Sequence, residues 1–325
     1  MRFVMGLFAF LLLSLPVSGD AAASPQGKRV ALLGTTNTNP YIGAWTSTFV
    51  KFATQAGMRV TNLNSNYDAA VQSQQVDDAI AQKFDMIVIV YVNDQAIVPA
   101  LTRAKAAGIP VVLVVVPLRK EHEDLFMSYV GTDHADLGRL AGEVMVQGLR
   151  AEGKTKAQIV AVTGVAQQYN VQTRIEAFKA ALAKQPGYEL VATEDGKWNT
   201  ALSEKITAEL LVRFNARGGV DGVYGMADNQ ATGAIRAIES AGLKLGVANK
   251  GIVVVASNCM KDGVVNIRGG QQHGTATQIP TEEAEVAAKK IAAYFNGEKL
   301  KKYELIPVFG ITKENLDRFA AGCSY

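Results

Sequence analysis

Short apolar runs alternate with stretches of helical period along most of the chain, and no other feature restricts the fold as much. Residues 30–33, 60–63, 86–92, 111–116 and 126–130 read as buried strands. Between the first four lie 42–56, 69–82 and 96–107, each with apolar residues three and four apart. Gly108 and Pro110 end the third of these helices. Strands alternating with helices imply a mainly parallel sheet, covered by helices on both faces. After Asp133 the pattern begins again, with strands at 159–162, 190–193, 220–224 and 252–256 and helices at 171–182, 202–214 and 232–241. The expected fold is α/β, two doubly wound parallel-sheet lobes. No Gly/Ser tract separates them, so the crossing between lobes is short and ordered.

The first residues follow different rules. Arg2 precedes an apolar stretch over residues 3–15, broken by Pro16 and followed by Ala21, Ala22 and Ala23. That is the order of a secretory signal, with cleavage near Ala23. The stretch falls short of the roughly 20 apolar residues a membrane span needs. The expected mature protein is soluble and lies outside the cytoplasm.

Charge excludes one large class of partner. Lys and Arg number 33 against 30 Asp and Glu, a net +3, and no basic cluster is interleaved with aromatics, so no nucleic acid is expected. Lys299, Lys301 and Lys302 read as solvated surface. Enzyme chemistry is equally unsupported. Gly34-Thr35-Thr36-Asn37 is not a dinucleotide turn, and neither a phosphate-binding loop nor a nucleophile elbow occurs. His122, His134 and His273 lack metal-ligand spacing and read as surface or structural residues. The expectation is a protein without catalytic residues, metal or cofactor. The two cysteines, Cys259 and Cys323, either bridge or stay separate thiols, and spacing does not choose between these.

Neutral polar groups recur instead at strand ends: Asn39 and Tyr41 after the first strand, Asp228 and Asn229 after Gly225, Asn258 after residue 256, and Gln278 before Pro280. The carboxyl ends of strands border the ligand crevice of an open α/β sheet. Amides both donate and accept, and aromatic faces such as those of Trp45 and Trp198 cover apolar ring surface. Any one of the Asn or Asp residues is equally explained as a helix cap; their convergence points to a binding cleft.

In this order and spacing the chain resembles the periplasmic sugar-binding proteins of the ribose-binding type, from Lys28 to about Leu316. The stretches that carry the resemblance are Thr35-Thr36-Asn37-Thr38-Asn39-Pro40-Tyr41, Gly108-Ile109-Pro110-Val111-Val112, Ser128-Tyr129-Val130-Gly131-Thr132-Asp133, residues 174–178, 224–233 and 255–258, and Gln278-Ile279-Pro280. The resemblance implies the type I periplasmic-binding-protein fold with a multi-crossing hinge near Thr132, Gln278 and Ile306. The N-terminal lobe would be 28–132 with 279–306, and the C-terminal lobe 133–278 with 307–325. It also implies a monomer that closes on a small solute and delivers it to the membrane permease of an ABC importer.

By position, Thr35, Asn39, Tyr41, Ile42, Trp45, Trp198, Asn258 and Gln278 should face ligand. The family's Asp-Arg pair falls on Val115 and Val116 and its sugar-gripping arginine on Gln172, with Arg174 matching a neighbouring structural arginine. The strand-end asparagine falls on Ala227, beside Asp228. These departures imply a small neutral sugar, polyol or similar molecule rather than an anion. Two alternatives stay open: a cationic or amino-acid-like solute, and a sensory protein that presents its closed form to a chemoreceptor or sensor kinase.

Overall fold

The computed structural model describes residues 24–36 and 38–325, so the expected signal over residues 1–23 lies outside the described residues. The first half builds β1 (Arg29–Gly34), α1 (Pro40–Gln55), β2 (Arg59–Asn64), α2 (Ala69–Ala81), β3 (Met86–Ile89), α3 (Asp94–Ala106), β4 (Val111–Val114) and β5 (Ser128–Thr132). The second builds α4 (His134–Ala151), β6 (Ala157–Thr163), α5 (Tyr169–Ala183), β7 (Tyr188–Asp195), α6 (Thr200–Asn215) and β8 (Gly222–Gly225). It continues with α7 (Asp228–Ser240), β9 (Val253–Asn258), α8 (Lys261–Gly269) and β10 (Gly274–Thr277). The chain ends with α9 (Pro280–Phe295), β11 (Tyr303–Ile306) and β12 (Gly310–Thr312). Among the described residues no helix is long and apolar enough to cross a membrane.

Two six-stranded sheets result, ordered β11-β5-β4-β3-β1-β2 and β12-β10-β9-β8-β6-β7. Every pairing is parallel except β10 with β12. β1, β3 and β4 are wholly buried, apart from Arg29 at the start of β1, which is why their sequences read as unbroken apolar runs rather than alternating ones. The chain passes from one sheet to the other after β5, returns after β10 through Gln278 and Ile279 to α9, and passes across again between β11 and β12. Helix starts are set by side-chain caps: Asn39, Asp68, Asn93, Asp133 and Asn199 each accept from backbone N–H groups of the following turn.

The structure departs from the expected strands at the ends that matter for the site. The run 111–116 leaves the sheet at Val114, because Val115 takes φ 65°. A β-branched residue in the left-handed region cannot continue a strand. β3 likewise stops at Ile89, before Val90 and Tyr91. Helix α4 was not legible, since Gly138, Gly142 and Gly148 depress its helical signal. Those glycines allow close packing instead: a Cβ on Gly138 would lie 2.1 Å from the Arg174 carbonyl oxygen, and one on Gly142 would lie 2.6 Å from Ala181 Cβ. The question left open by the two cysteines is answered by a disulfide between Cys259 and Cys323, inside a small apolar cluster with Val264, Ile267, Ile311 and Leu316.

Candidate functional site

The carboxyl ends of the strands of both sheets border one cleft of about 480 Å³. On the first-sheet side Thr35, Asn39, Tyr41 and Ile42 follow β1, Tyr67 follows β2, Val90 and Tyr91 follow β3, and Val115 and Val116 follow β4. On the other side stand Gln168, Asn170, Arg174, Trp198 and Asn258, with Gln278 at the crossing. The two walls touch at the mouth. Arg119 is paired with Asp94 at 2.9 Å, donates to Gln172 at 2.7 Å and lies over the Tyr169 ring, and Gln168 Nε2 donates to the Val92 carbonyl at 3.3 Å.

Arg174 organises the interior and is only 2% exposed. The glycines of α4 let α5 approach closely enough to carry its guanidinium into the cleft. Nε donates to His134 Nδ1 at 3.0 Å, Nη1 to the Met226 carbonyl and to Asn258 Oδ1, and Nη2 to Gln278 Oε1. Every acceptor is neutral. His134 must then carry its proton on Nε2, which reaches the Val115 carbonyl at 2.7 Å. Burial, and then the neighbouring guanidinium, hold the imidazole pKa well below its usual value. Among the described residues, four of the five N–H groups of this arginine are thereby assigned, and one on Nη2 remains.

A carboxylate stands one residue behind this network. Glu283 on α9 accepts from the Tyr41 hydroxyl and from Gln278 Nε2 at 3.4 Å. Burial lifts its pKa to about 7, and burial does the same for Asp228. A raised carboxylate pKa means that the folded protein holds its proton more tightly than the unfolded chain, from about pH 4.5 up to about 7. Stability contributed this way is lost as pH rises through that window. His134 and His273, whose pKa values burial lowers, act in the opposite sense below about 6.5. Glu283→Gln isolates the carboxylate. The variant should gain on the wild type as pH rises from 5 to 7, by up to about 1.4 kcal/mol per pH unit. Urea denaturation at several pH values measures this, and a difference constant from pH 5 to 8 would exclude the protonated carboxyl.

The cleft is also where backbone strain collects. Tyr67 (φ 62°), Val115 (65°), Trp198 (57°) and Asn258 (90°) all line it in left-handed conformations that cost about 1–2 kcal/mol each. Each is held by a specific hydrogen bond. The Tyr67 N–H donates to the Thr35 carbonyl, the Val115 carbonyl accepts from His134, the Trp198 carbonyl from Asn229 Nδ2, and the Asn258 carbonyl from the Tyr325 hydroxyl. Such strain survives only where the surroundings over-determine it, and it is typical of ligand clamps.

Four residues expected at the ligand stand elsewhere. Trp45 lies one helical turn beyond Tyr41, is 1% exposed and stacks on Phe49 in the core. Gln172 sits at the mouth, turned to Arg119. Ala227 precedes α7 as its cap residue and is buried. Asp228 turns away, accepting from the Met260 N–H and Gln272 Nε2, both at 2.8 Å. Asn39 both caps α1 and lines the cleft, so the two readings of it were compatible. The sequence reading missed Tyr67, Val90, Tyr91, Gln168, Asn170 and the placement of Arg174. For Asn170 and Arg174 a signal existed, since residues four apart on a helix share a face.

Among known proteins, the model of the periplasmic binding protein domain matches residues 30–299. Similar proteins include the xylitol-binding protein of Mycolicibacterium smegmatis, 25% identical over 300 residues, which are 92% of this chain and 81% of that protein. The ribose import binding protein of Haemophilus influenzae is 24% identical over 93% of this chain and 96% of its own length. Among solved structures, a galactofuranose binding protein aligns with a TM-score of 0.83 at 20% identity, covering 91% of this chain and 98% of that one. An ABC transporter solute binding protein from Bacillus halodurans C-125 with bound myo-inositol aligns at 0.82 and 19% identity, covering 92% and 99%.

Proposed function

This chain belongs to the periplasmic binding protein family, and from that membership we propose that it captures one small neutral sugar or polyol and passes it to the permease of an ABC importer. It would act in the periplasm as a monomer, after removal of residues 1–23, and without catalysis. Its lobes would be residues 28–132 with 279–306 and residues 133–278 with 307–325, closing as a hinge.

The observation that carries the ligand class is the state of Arg174. Its charge is spent on neutral acceptors, and the single N–H left cannot grip a carboxylate in the two-point manner. It serves one hydroxyl oxygen. Asn258 and Asn39 have committed their amide oxygens and keep Nδ2 donors, while Asn170 Oδ1 is buried without a partner among the described residues. Groups that donate and accept at one atom, as hydroxyls do, match this set. The faces of Trp198, Tyr41 and Tyr91 cover the C–H side of a compact ring or chain. A cationic solute would meet the Arg174 guanidinium in the same cleft. The relatives' names point the same way, toward uncharged sugars and polyols and toward import rather than sensing.

A thermal-shift panel on the chain from Ser24 tests this, with xylitol, myo-inositol, D-ribose, D-galactose, a uronic acid and a quaternary amine. A ligand at 100 times its Kd adds about 2.7 kcal/mol. Stabilisation by a neutral polyol or sugar is expected; a response confined to the acid or the amine overturns the reading.

Gln278 ties Arg174 to Glu283, so Gln278→Ala removes the acceptor of a buried guanidinium N–H and the donor to Glu283 Oε1, leaving Glu283 its bond from Tyr41 alone. Affinity for the ligand found in the panel should fall by about 1–3 kcal/mol. Calorimetric titration giving the wild-type value would remove Gln278 from the site.

A further inference from the structure

The segment after Leu316 has no part in the capture scheme, yet it reaches both walls of the cleft. The disulfide Cys259–Cys323 fixes it in the apolar cluster of the second sheet. Two residues on, Tyr325 leaves that cluster and packs against the core of the first sheet. There its ring meets Tyr41 edge-on, with centroids 6.2 Å apart and planes at 81°. Its hydroxyl meanwhile donates to the Asn258 carbonyl at 2.9 Å. One side chain therefore touches a cleft residue from each wall, although it does not itself line the cleft.

The two residues it touches are ones whose placement needs help. Asn258 and Cys259 are consecutive non-glycine residues at φ 90° and 57°, and the intrinsic preference of both is to relax. Relaxation at Asn258 would swing its amide away from Arg174 Nη1, 3.2 Å distant. Tyr41 is tethered at its hydroxyl by Glu283, but the plane of its ring is set by what packs against it, which includes Tyr325. We propose that Tyr325 is a positioning residue for the ligand site, delivered there by the disulfide: it holds Asn258 and Tyr41 in their binding geometry. The proposal rests on the reading of the cleft as a sugar or polyol site.

The test compares Tyr325→Phe, which removes one hydrogen bond and keeps the ring, with Val264→Ala, which loosens the apolar cluster of the disulfide at a residue that does not line the cleft. Amide hydrogen exchange is followed on the unliganded proteins, and xylitol and D-ribose are titrated calorimetrically. In Tyr325→Phe, exchange across residues 257–263 should accelerate roughly tenfold, and affinity for the sugar that wild type binds should fall roughly threefold to tenfold. Its Tm should stay near the wild-type value. Val264→Ala should lower Tm and leave affinity unchanged. Wild-type exchange and affinity in Tyr325→Phe, or an equal affinity loss in Val264→Ala, would overturn the proposal. If wild type takes neither sugar, those ligands are excluded, while the exchange comparison still decides the role of Tyr325.

Discussion

Arg174→Met should weaken ligand capture at least about a hundredfold and cost about 1–3 kcal/mol of stability. Methionine keeps most of the volume, so the effect comes from the lost donors. His134 Nδ1, Asn258 Oδ1 and Gln278 Oε1 share this one donor group. Each is buried, and a buried acceptor left unpaired keeps its full desolvation penalty. Glu283 loses the Arg174 charge that lowers its pKa at the same time and should hold its proton to higher pH. Arg174→Lys should not rescue binding, because an ammonium group cannot reproduce the planar fork that reaches four separate acceptors. Calorimetry and urea denaturation of both variants check this. Affinity within threefold of wild type in the methionine variant would mean that Arg174 is a packing residue only.

The second large effect belongs to the disulfide. Cys259 and Cys323 close a loop of 64 residues, for which chain entropy assigns about 4 kcal/mol. Cys259→Ser with Cys323→Ser should lose most of that, since both sulfurs are buried among Val264, Ile267 and Leu316 and the serine hydroxyls find no designed partners there. The measurement is the urea midpoint against oxidised wild type. A loss below about 1 kcal/mol would show that the bridge constrains little in the unfolded chain.

The parallel strands were legible because burial on both faces writes them as continuous apolar runs, and the cleft followed because ligand sites border strand ends. What the sequence concealed was where those runs stop. Val115 differs in no chemical respect from Val114, yet its backbone takes a positive φ, and its carbonyl accepts from His134, nineteen residues later, and from the Tyr129 hydroxyl. Trp45 misled for the opposite reason: its proximity to Tyr41 in sequence places it one turn deeper on the same helix, in the core. Arg174 was read as structural because Gln172 occupies the position expected to grip. Both roles meet in one side chain, since Arg174 holds the neutral acceptors together and offers its last N–H to the cleft. The cysteine pairing was illegible because 64 residues of two-lobed fold intervene.

The order of strands in the two sheets has a consequence for how the molecule is made. The edge strands β11 and β12 come from residues 303–306 and 310–312, after every other strand of both sheets. Tyr303 must find Tyr129, and Ile311 must find Thr275. The first of these searches spans most of the second half of the chain, and the entropy of closing so long a loop has to be met before the contact rewards it. Helix α9 is equally late and packs on α1. Neither sheet can therefore complete itself on an emerging chain, and both edges stay open until synthesis is nearly over.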